Sequence, residues 1–349
     1  MAYTTINKSS EYFNTKLYTG TGSAQSLTGV GFQPDMVWVK HRNGVAHSPI
    51  QDVVRGATSS ISYIMSGTTD GGLSISDAIT SFDSDGFSLG ADSSSRSNPS
   101  GGSMVSWNWK ANGAGVSNTD GSITSTVSAN TTSGFSIVKW TGDGSASGAK
   151  TVGHSLGVTP KFVIVKKTSA SASWWIGIDI DGWNWNTDYI NFTTTAKQSD
   201  ASGTVFYSAP TSLIINLGVE LNASSANYIA YCFAEKKGFS KFDSYTGNGN
   251  ADGTFVYTGF KPAFVLFKPS SATENWQIQD NKRPSYNPCD NIAPNNNSAE
   301  ATTNDFVDLV SNGFKLRSAT YSASGVTYIY MAFAENPLVG TNNIPATAR

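Results

Sequence analysis

One nine-residue stretch occurs in this chain in three versions: "FQPDMVWVK" at 32–40, "VTPKFVIVK" at 158–166 and "FKPAFVLFK" at 260–268. Each reads as a strand whose proline, Pro34, Pro160 or Pro262, stands near its start, where the missing N–H is tolerated. The run after the proline shows no polar alternation, so the spacing predicts a strand covered on both faces. A chain that writes the same doubly buried strand three times has to supply three sets of covering layers.

The match extends well beyond the strand. Upstream lie "YTGTG", "WTGDG" and "YTGNG", whose aromatics Tyr18, Trp140 and Tyr245 precede the prolines by 16, 20 and 17 residues. Trp174 and Trp276 both fall 14 residues after their prolines, and Asp52 and Asp280 both fall 18 after theirs, with Asp179 at 19. The units close with the aromatic strands "MVSWNWK", "YIAYCFAE" and "YIYMAFAE", which begin 70, 68 and 66 residues after proline. An ordered internal repeat is the primary signal of architecture. Only 14% of residues are charged, against about 25% in an average globular protein, and Ser, Thr, Asn and Gly fill the loops. Short apolar strands between such loops predict an all-β chain of three tandem β-sandwich, jelly-roll-like units. The expected boundaries are 1–111 for the first unit, 112–133 for a polar linker, 134–236 and 237–340 for the second and third, and 341–349 for a tail. Only "TTNDFVDLVSNGF" leaves room for a short helical turn.

Composition narrows function. With 25 acidic and 23 basic residues the chain carries no electrostatic footprint for nucleic acid. No apolar run approaches the ~20 residues of a membrane span, and the polar start "MAYTTINKSS" has no signal-peptide pattern. Neither nucleic acid nor membrane is expected as a partner. The two cysteines make no framework. Cys232 reads as a core residue and Cys289 as a loop residue, with their pairing left open. The histidines His41, His47 and His154 hold no repeat-equivalent position and no metal spacing. The "DxDG" stretches Asp83–Gly86 and Asp179–Gly182 begin like a calcium loop without completing one. No cofactor and no catalytic residue is expected. The carboxylates Asp52, Asp179, Asp280, Glu235 and Glu335 read as strand-end and loop charges, and the spacing Asp52/Arg55, repeated in Asp280/Arg283, as a loop salt bridge.

One segment is unique to a single unit. In "WWIGIDIDGWNWNTDYINF" (174–192), Trp183 and Trp185 have no counterparts. On a strand they would share one face, with Asn184 on the other. With Asp181 and Tyr189 they form the candidate site, either a glycan-stacking platform or an interface seam.

The proline strands, the "[WY]TGxG" turns and the closing aromatic strands together resemble repeats of virion structural proteins of tailed phages, marine cyanophages in particular. The resemblance covers about residues 11–340, although the first unit closes with "SWNWK" where the others have "CFAE" and "AFAE". It implies a non-enzymatic protein of the virion surface, assembled in the host cytoplasm, in a tail fibre or other tail part or as capsid decoration. Its partners would be other virion proteins of the capsid or tail, with a host surface glycan as a further one. An oligomer is expected, as a trimer or as three units in one chain occupying a pseudo-threefold position. A host-glycan-binding receptor module is the alternative reading, and a polysaccharide depolymerase the second alternative.

Overall fold

A computed structural model describes residues 4–57, 63–92, 94–145, 150–193, 203–284, 286–302 and 306–339. The chain is all-β. Among the described residues the only helical elements are three single turns at Ser9–Glu11, Val219–Leu221 and Thr320–Ser322. The first unit holds β1 (Phe13–Thr19), β2 (Gln25–Thr28), β3 (Met36–His41), β4 (Pro49–Asp52), β5 (Ile64–Met65), β6 (Ile79–Asp83), β7 (Gly86–Leu89) and β8 (Ser103–Trp109). The second holds β9 (Val116–Asn118), β10 (Ser125–Asn130), β11 (Phe135–Thr141), β12 (Lys150–Gly153), β13 (Phe162–Lys167), β14 (Trp174–Ile178), β15 (Ile190–Asn191), β16 (Ile214–Leu217) and β17 (Asn227–Phe233). The third holds β18 (Ser240–Thr246), β19 (Phe255–Tyr257), β20 (Phe260–Pro269), β21 (Gln277–Asp280), β22 (Val307–Val310), β23 (Gly313–Leu316) and β24 (Thr327–Pro337).

Each unit has two antiparallel sheets. In the larger one, the closing strand lies between the opening strand and the proline strand: β1-β8-β3-β4-β5, then β11-β17-β13-β14-β15, then β18-β24-β20-β21. The smaller sheets, β2-β7-β6, β12-β16 and β19-β23-β22, cover the outer faces. The proline strand is buried on both sides, as its composition requires. Met36, Trp38, Phe162, Ile164, Phe264 and Leu266 all point into one shared core. Their alternates Val37 and Val39, Val163 and Val165, and Val265 and Phe267 point into three separate outer cores. Strand period two makes that division possible within a run of continuous apolar residues.

The shared core is aromatic. Phe333 on β24 lies 5.1 Å from Phe13 and 5.8 Å from both Trp109 and Phe233, which brings all three units into one cluster. A small cavity of about 10 Å³ remains between Trp38, Trp109, Ile164, Trp174, Phe192 and Met331.

The "[WY]TGxG" turns join the sandwich at one end. The aromatic tip bonds to backbone of the facing loop: Tyr18 Oη donates to Ser97 O, Trp140 Nε1 to Leu221 O and Tyr245 Oη to Tyr321 O. At the first glycine a Cβ would fall 2.2 Å from Pro99 O at Gly20, 2.3 Å from Ala223 O at Gly142 and 2.2 Å from Ala323 O at Gly247. The second glycine is left-handed in every copy, with φ of 66°, 76° and 76° at Gly22, Gly144 and Gly249. One glycine permits close approach of backbone and the other a left-handed turn.

The structure departs from the sequence reading in two places. Residues 112–133, expected as a linker, contain β9 and β10, which extend the second unit's sheet beyond β11. Ile123 and Val127 from this stretch are buried in the outer core of that unit. Within "TTNDFVDLVSNGF" the described part is the hairpin β22–β23 rather than a helical turn. The two cysteines form no disulfide with each other, and both are buried, in different outer cores. The expected tail, 341–349, lies outside the described residues.

Because one core serves three units, Phe333→Ala should cost about 3–5 kcal/mol and lower the melting temperature of the whole chain. Scanning calorimetry should show one transition before and after the substitution. Separate transitions, of which only one moves, would contradict a shared core.

Candidate functional site

Trp183 and Trp185 do not form an exposed pair. They lie in the turns between β14 and β15, not on a strand. Trp185 is 5% exposed, edge-on to Phe206 at 5.1 Å, and takes its place in the second unit's outer core. Its ring lies over Gly177, where a Cβ would meet Cζ3 at 2.1 Å. Trp183 is half-buried and packs against both this core and the shared one. Tyr189 is half-buried on the same outer core. Asp181 and Asn184 are exposed. The Asn184 N–H donates to Asp188 Oδ2, and its Oδ1 accepts from the Asn186 N–H, which ties the amide into the turn. The flat apolar surface that a stacking platform needs is therefore turned inward.

The strongest polar chemistry lies in the seams between units. In the seam of units 1 and 2, Arg55 Nε donates to Asp52 Oδ2 at 2.6 Å, with both side chains fully buried. Tyr231 on β17 completes it: its hydroxyl donates to Asp52 Oδ2 at 2.8 Å and accepts from Arg55 Nη2 at 3.0 Å. Burial, the largest single influence, lowers the Arg55 pKa, but the Asp52 charge, Tyr231 and the hydrogen bonds to both together outweigh it and hold the guanidinium above its ordinary value.

In the seam of units 1 and 3, Arg283 Nε donates to Asp280 Oδ2 at 2.6 Å and Arg283 Nη1 to Glu300 Oε1 at 2.6 Å. Trp107 Nε1 on β8 donates to Asp280 Oδ2 at 3.0 Å, and Arg42 Nε to Glu300 Oε2 at 2.7 Å. Burial pushes the Asp280 carboxyl up, yet the Arg283 charge and the bonds from Arg283, Lys282 and Trp107 leave it below the usual range. Asp52 and Asp280 are thus structural acceptors, each held by an arginine.

The third seam is built differently. Strand pairing sets Met36 opposite Asp52, Phe264 opposite Asp280 and Phe162 opposite Ile178. The true counterpart of the two aspartates is therefore Ile178. Asp179, expected at that position, is one residue further on and exposed. Met331 occupies on β24 the place of Trp107 and Tyr231, paired with Leu266 as they are with Trp38 and Ile164. Ile178 and Met331 are both buried in the shared core. Two seams use ion pairs, and one is apolar.

A second set of seam residues went unread in the sequence. The lysine that closes each proline strand, Lys40, Lys166 and Lys268, is fully buried. Each ammonium donates to a carbonyl of its own hairpin: Ala46 at 2.9 Å, Ala172 at 2.6 Å and Glu274 at 2.7 Å. Among the described residues, Lys40 also reaches into a neighbouring unit, to Asn296 O at 2.9 Å, and Lys166 to Thr69 O at 2.9 Å. Burial pushes all three pKa values down to about 8. The signal was available, since a charge repeated at one offset of an otherwise apolar strand has to be satisfied internally. The indole N–H groups bridge seams in the same direction: Trp174 Nε1 donates to Met65 O at 3.0 Å and Trp276 Nε1 to Asn191 O at 2.8 Å. Unit 2 grips unit 1, unit 3 grips unit 2 and unit 1 grips unit 3.

Such a ring of contacts can hold three units in fixed register. Among the described residues, no three His, Cys, Asp or Glu side chains are grouped as a metal ion would require. A family model described as Domain of unknown function (DUF7483) matches residues 8–337, across all three units. No curated protein and no solved structure matches the chain.

Removing one partner of a buried pair strands the other. Asp52→Ala should therefore cost about 3–5 kcal/mol. The triple replacement Asp52→Ile, Arg55→Met, Tyr231→Phe copies the apolar seam and should recover most of that loss in urea denaturation. A triple variant as unstable as Asp52→Ala would show that the ion pair is needed in itself.

The lysines set a pH dependence. With folded pKa values near 8 against an ordinary 10.5, the unfolded chain binds more protons between these limits, so stability rises with pH across that window. Buried tyrosines such as Tyr231 and Tyr245 are raised above 10.0 by burial, so they reverse the trend at higher pH. Denaturation midpoints should be higher at about pH 9.5 than at about pH 7.5. A flat or falling profile would refute the assignment.

Proposed function

The chain belongs to this family of domains of unknown function, and we propose that it is a non-enzymatic structural protein of a tailed-phage virion, exposed on the particle surface. The observation that carries this reading is the closed ring of seams around one core. Three units locked in this way form a single rigid block, suited to a position of threefold or pseudo-threefold symmetry among other virion proteins. The family model spans the same three units, which supports treating the block as the functional whole. The motif resemblance points to the particle, in tail or capsid.

Each competing reading loses some of its residues. A depolymerase needs two carboxylates on either side of a glycosidic bond, but Asp52 and Asp280 sit in different seams, bound to Arg55 and Arg283. A glycan platform built on Trp183 and Trp185 has its second indole in the core.

The test is the composition of purified particles. An antibody raised against the recombinant chain should label gradient-banded virions, and quantitative mass spectrometry should find the chain at a fixed stoichiometry, one chain for each threefold or pseudo-threefold position it occupies. A chain abundant in infected cells yet absent from banded particles would overturn the proposal.

A further inference from the structure

The three smaller sheets have equivalent edge strands with different fates. Their inward residues Leu27, Val152 and Val256 pair with Phe87, Ile215 and Phe314 in the neighbouring strand. On β12, the outer edge is covered. Ile123 forms a parallel bridge with Val152, and its N–H donates to Thr151 O at 3.0 Å. Ser122 and Thr151 add two bonds: Ser122 N–H donates to Thr151 Oγ1 at 2.8 Å and Thr151 N–H to Ser122 Oγ at 2.9 Å. The cover comes from the stretch that precedes β11 in the chain.

The third unit has no such stretch, because only residues 234–239 separate β17 from β18. Its edge strand is β19. Leu316 N–H donates to Thr254 O at 3.1 Å and Thr258 N–H to Asn312 O at 3.0 Å. By strand alternation, the Thr254 carbonyl, the backbone groups of Val256 and the Thr258 N–H therefore face β23, and the backbone groups of Phe255 and Tyr257 face outward. The Phe255 carbonyl thus stands where Thr151 O accepts from Ile123. The side chains differ too. On β2 the corresponding residues are Ser26 and Thr28, whereas β19 presents Phe255 at 46% and Tyr257 at 52% exposure. An exposed edge strand with apolar side chains is the case that pairs most readily with another strand.

We propose that β19 is an acceptor edge for one extended segment of a second polypeptide, which adds parallel to it as residues 121–123 add to β12. The Phe255 carbonyl accepts one N–H of the incoming segment, and the Tyr257 N–H donates to its carbonyl. The incoming residue level with Val256 is aliphatic, like Ile123, and points inward. Its two neighbours are apolar and lie against Phe255 and Tyr257. Main-chain bonds supply affinity and the alternate side chains supply selectivity, as in other strand additions. The assignment holds whether or not the protein belongs to a particle.

The probe is a synthetic peptide of residues 118–126 carrying Ser122→Val and Thr124→Val, added to the full-length chain. Amide exchange at Tyr257, followed by NMR on deuterated, nitrogen-15-labelled protein, should slow as peptide is added. The same peptide N-methylated at Ile123 should bind about tenfold more weakly. The variant Phe255→Ser, Tyr257→Thr copies the polar edge of β2, and it should fold normally and lose the peptide to a similar degree. Absence of protection, or protection indifferent to both changes, overturns the proposal. Protection that grows with protein concentration alone assigns the edge to a second copy, and protection lost on deleting residues 340–349 assigns it to the chain's own end. Either result also overturns the assignment to another polypeptide.

Discussion

Everything in this molecule follows from the burial of one strand on two faces, three times over. A strand such as β13 exposes apolar side chains alternately, Phe162 and Ile164 on one side, Val163 and Val165 on the other. A single small sandwich can cover only one of those faces. The outer face is covered within the unit by the smaller sheet. The inner face is covered by the corresponding faces of the two other units, so three cores are private and one is held in common. The shared core explains why the charged residues at its margins, Asp52, Arg55, Asp280 and Arg283, are all paired. Any donor or acceptor trapped between units loses water, and an unpaired one costs about as much as several methylenes return.

That constraint also explains the seams. Asp52, Asp280, Arg55 and Arg283 lie where strand ends of one unit meet the closing strand of another, and burial there forces each charge to find a partner. The solution differs at each boundary: a tyrosine joins the pair in one, a tryptophan and Glu300 in another, and Ile178 with Met331 replace the charges in the third. The apolar version shows that the ionic network is one way of filling this position and not a requirement of the fold. The three lysines behave in the opposite manner. They are present in every unit and always donate to a backbone carbonyl of their own hairpin, so they fix the hairpin after the proline strand as well as the boundary.

Much of the architecture was legible because the repeat is written in spacing. The proline offsets placed the doubly covered strand, the closing aromatic strands and the tight glycine turns without reference to any contact. The hidden parts share a physical cause. β9 at the sheet edge, β10 beside it and the link between them are rich in Ser and Thr, so the few buried apolar residues of this stretch, Val127 on β10 and Ile123 in the link, are diluted beyond recognition by composition. The inward turn of Trp185 depends on Gly177 on the neighbouring strand and on Phe206, which lies 21 residues further along. No local pattern reports such a partner. Asp179 was misassigned by a single residue, and on a strand one residue is the difference between core and solvent. The spacing Asp52/Arg55 signalled a salt bridge correctly, but its burial and its third partner, Tyr231, come from a different unit.

Linking three units in one chain changes what their surfaces can become. In a trimer of identical chains, a substitution at one edge appears at all three and is constrained by all three. Here each edge diverges alone. One smaller sheet is capped by residues 121–123, one carries Ser26 and Thr28, and one presents Phe255 and Tyr257. The capped edge has a fixed neighbour, and the polar edge offers an added strand no apolar contact. The aromatic edge combines outward backbone groups with apolar side chains, the combination that favours a new strand over water. A ring nearly symmetric in its core is thus asymmetric at its rim, and the asymmetry lies at the outer strands of the smaller sheets.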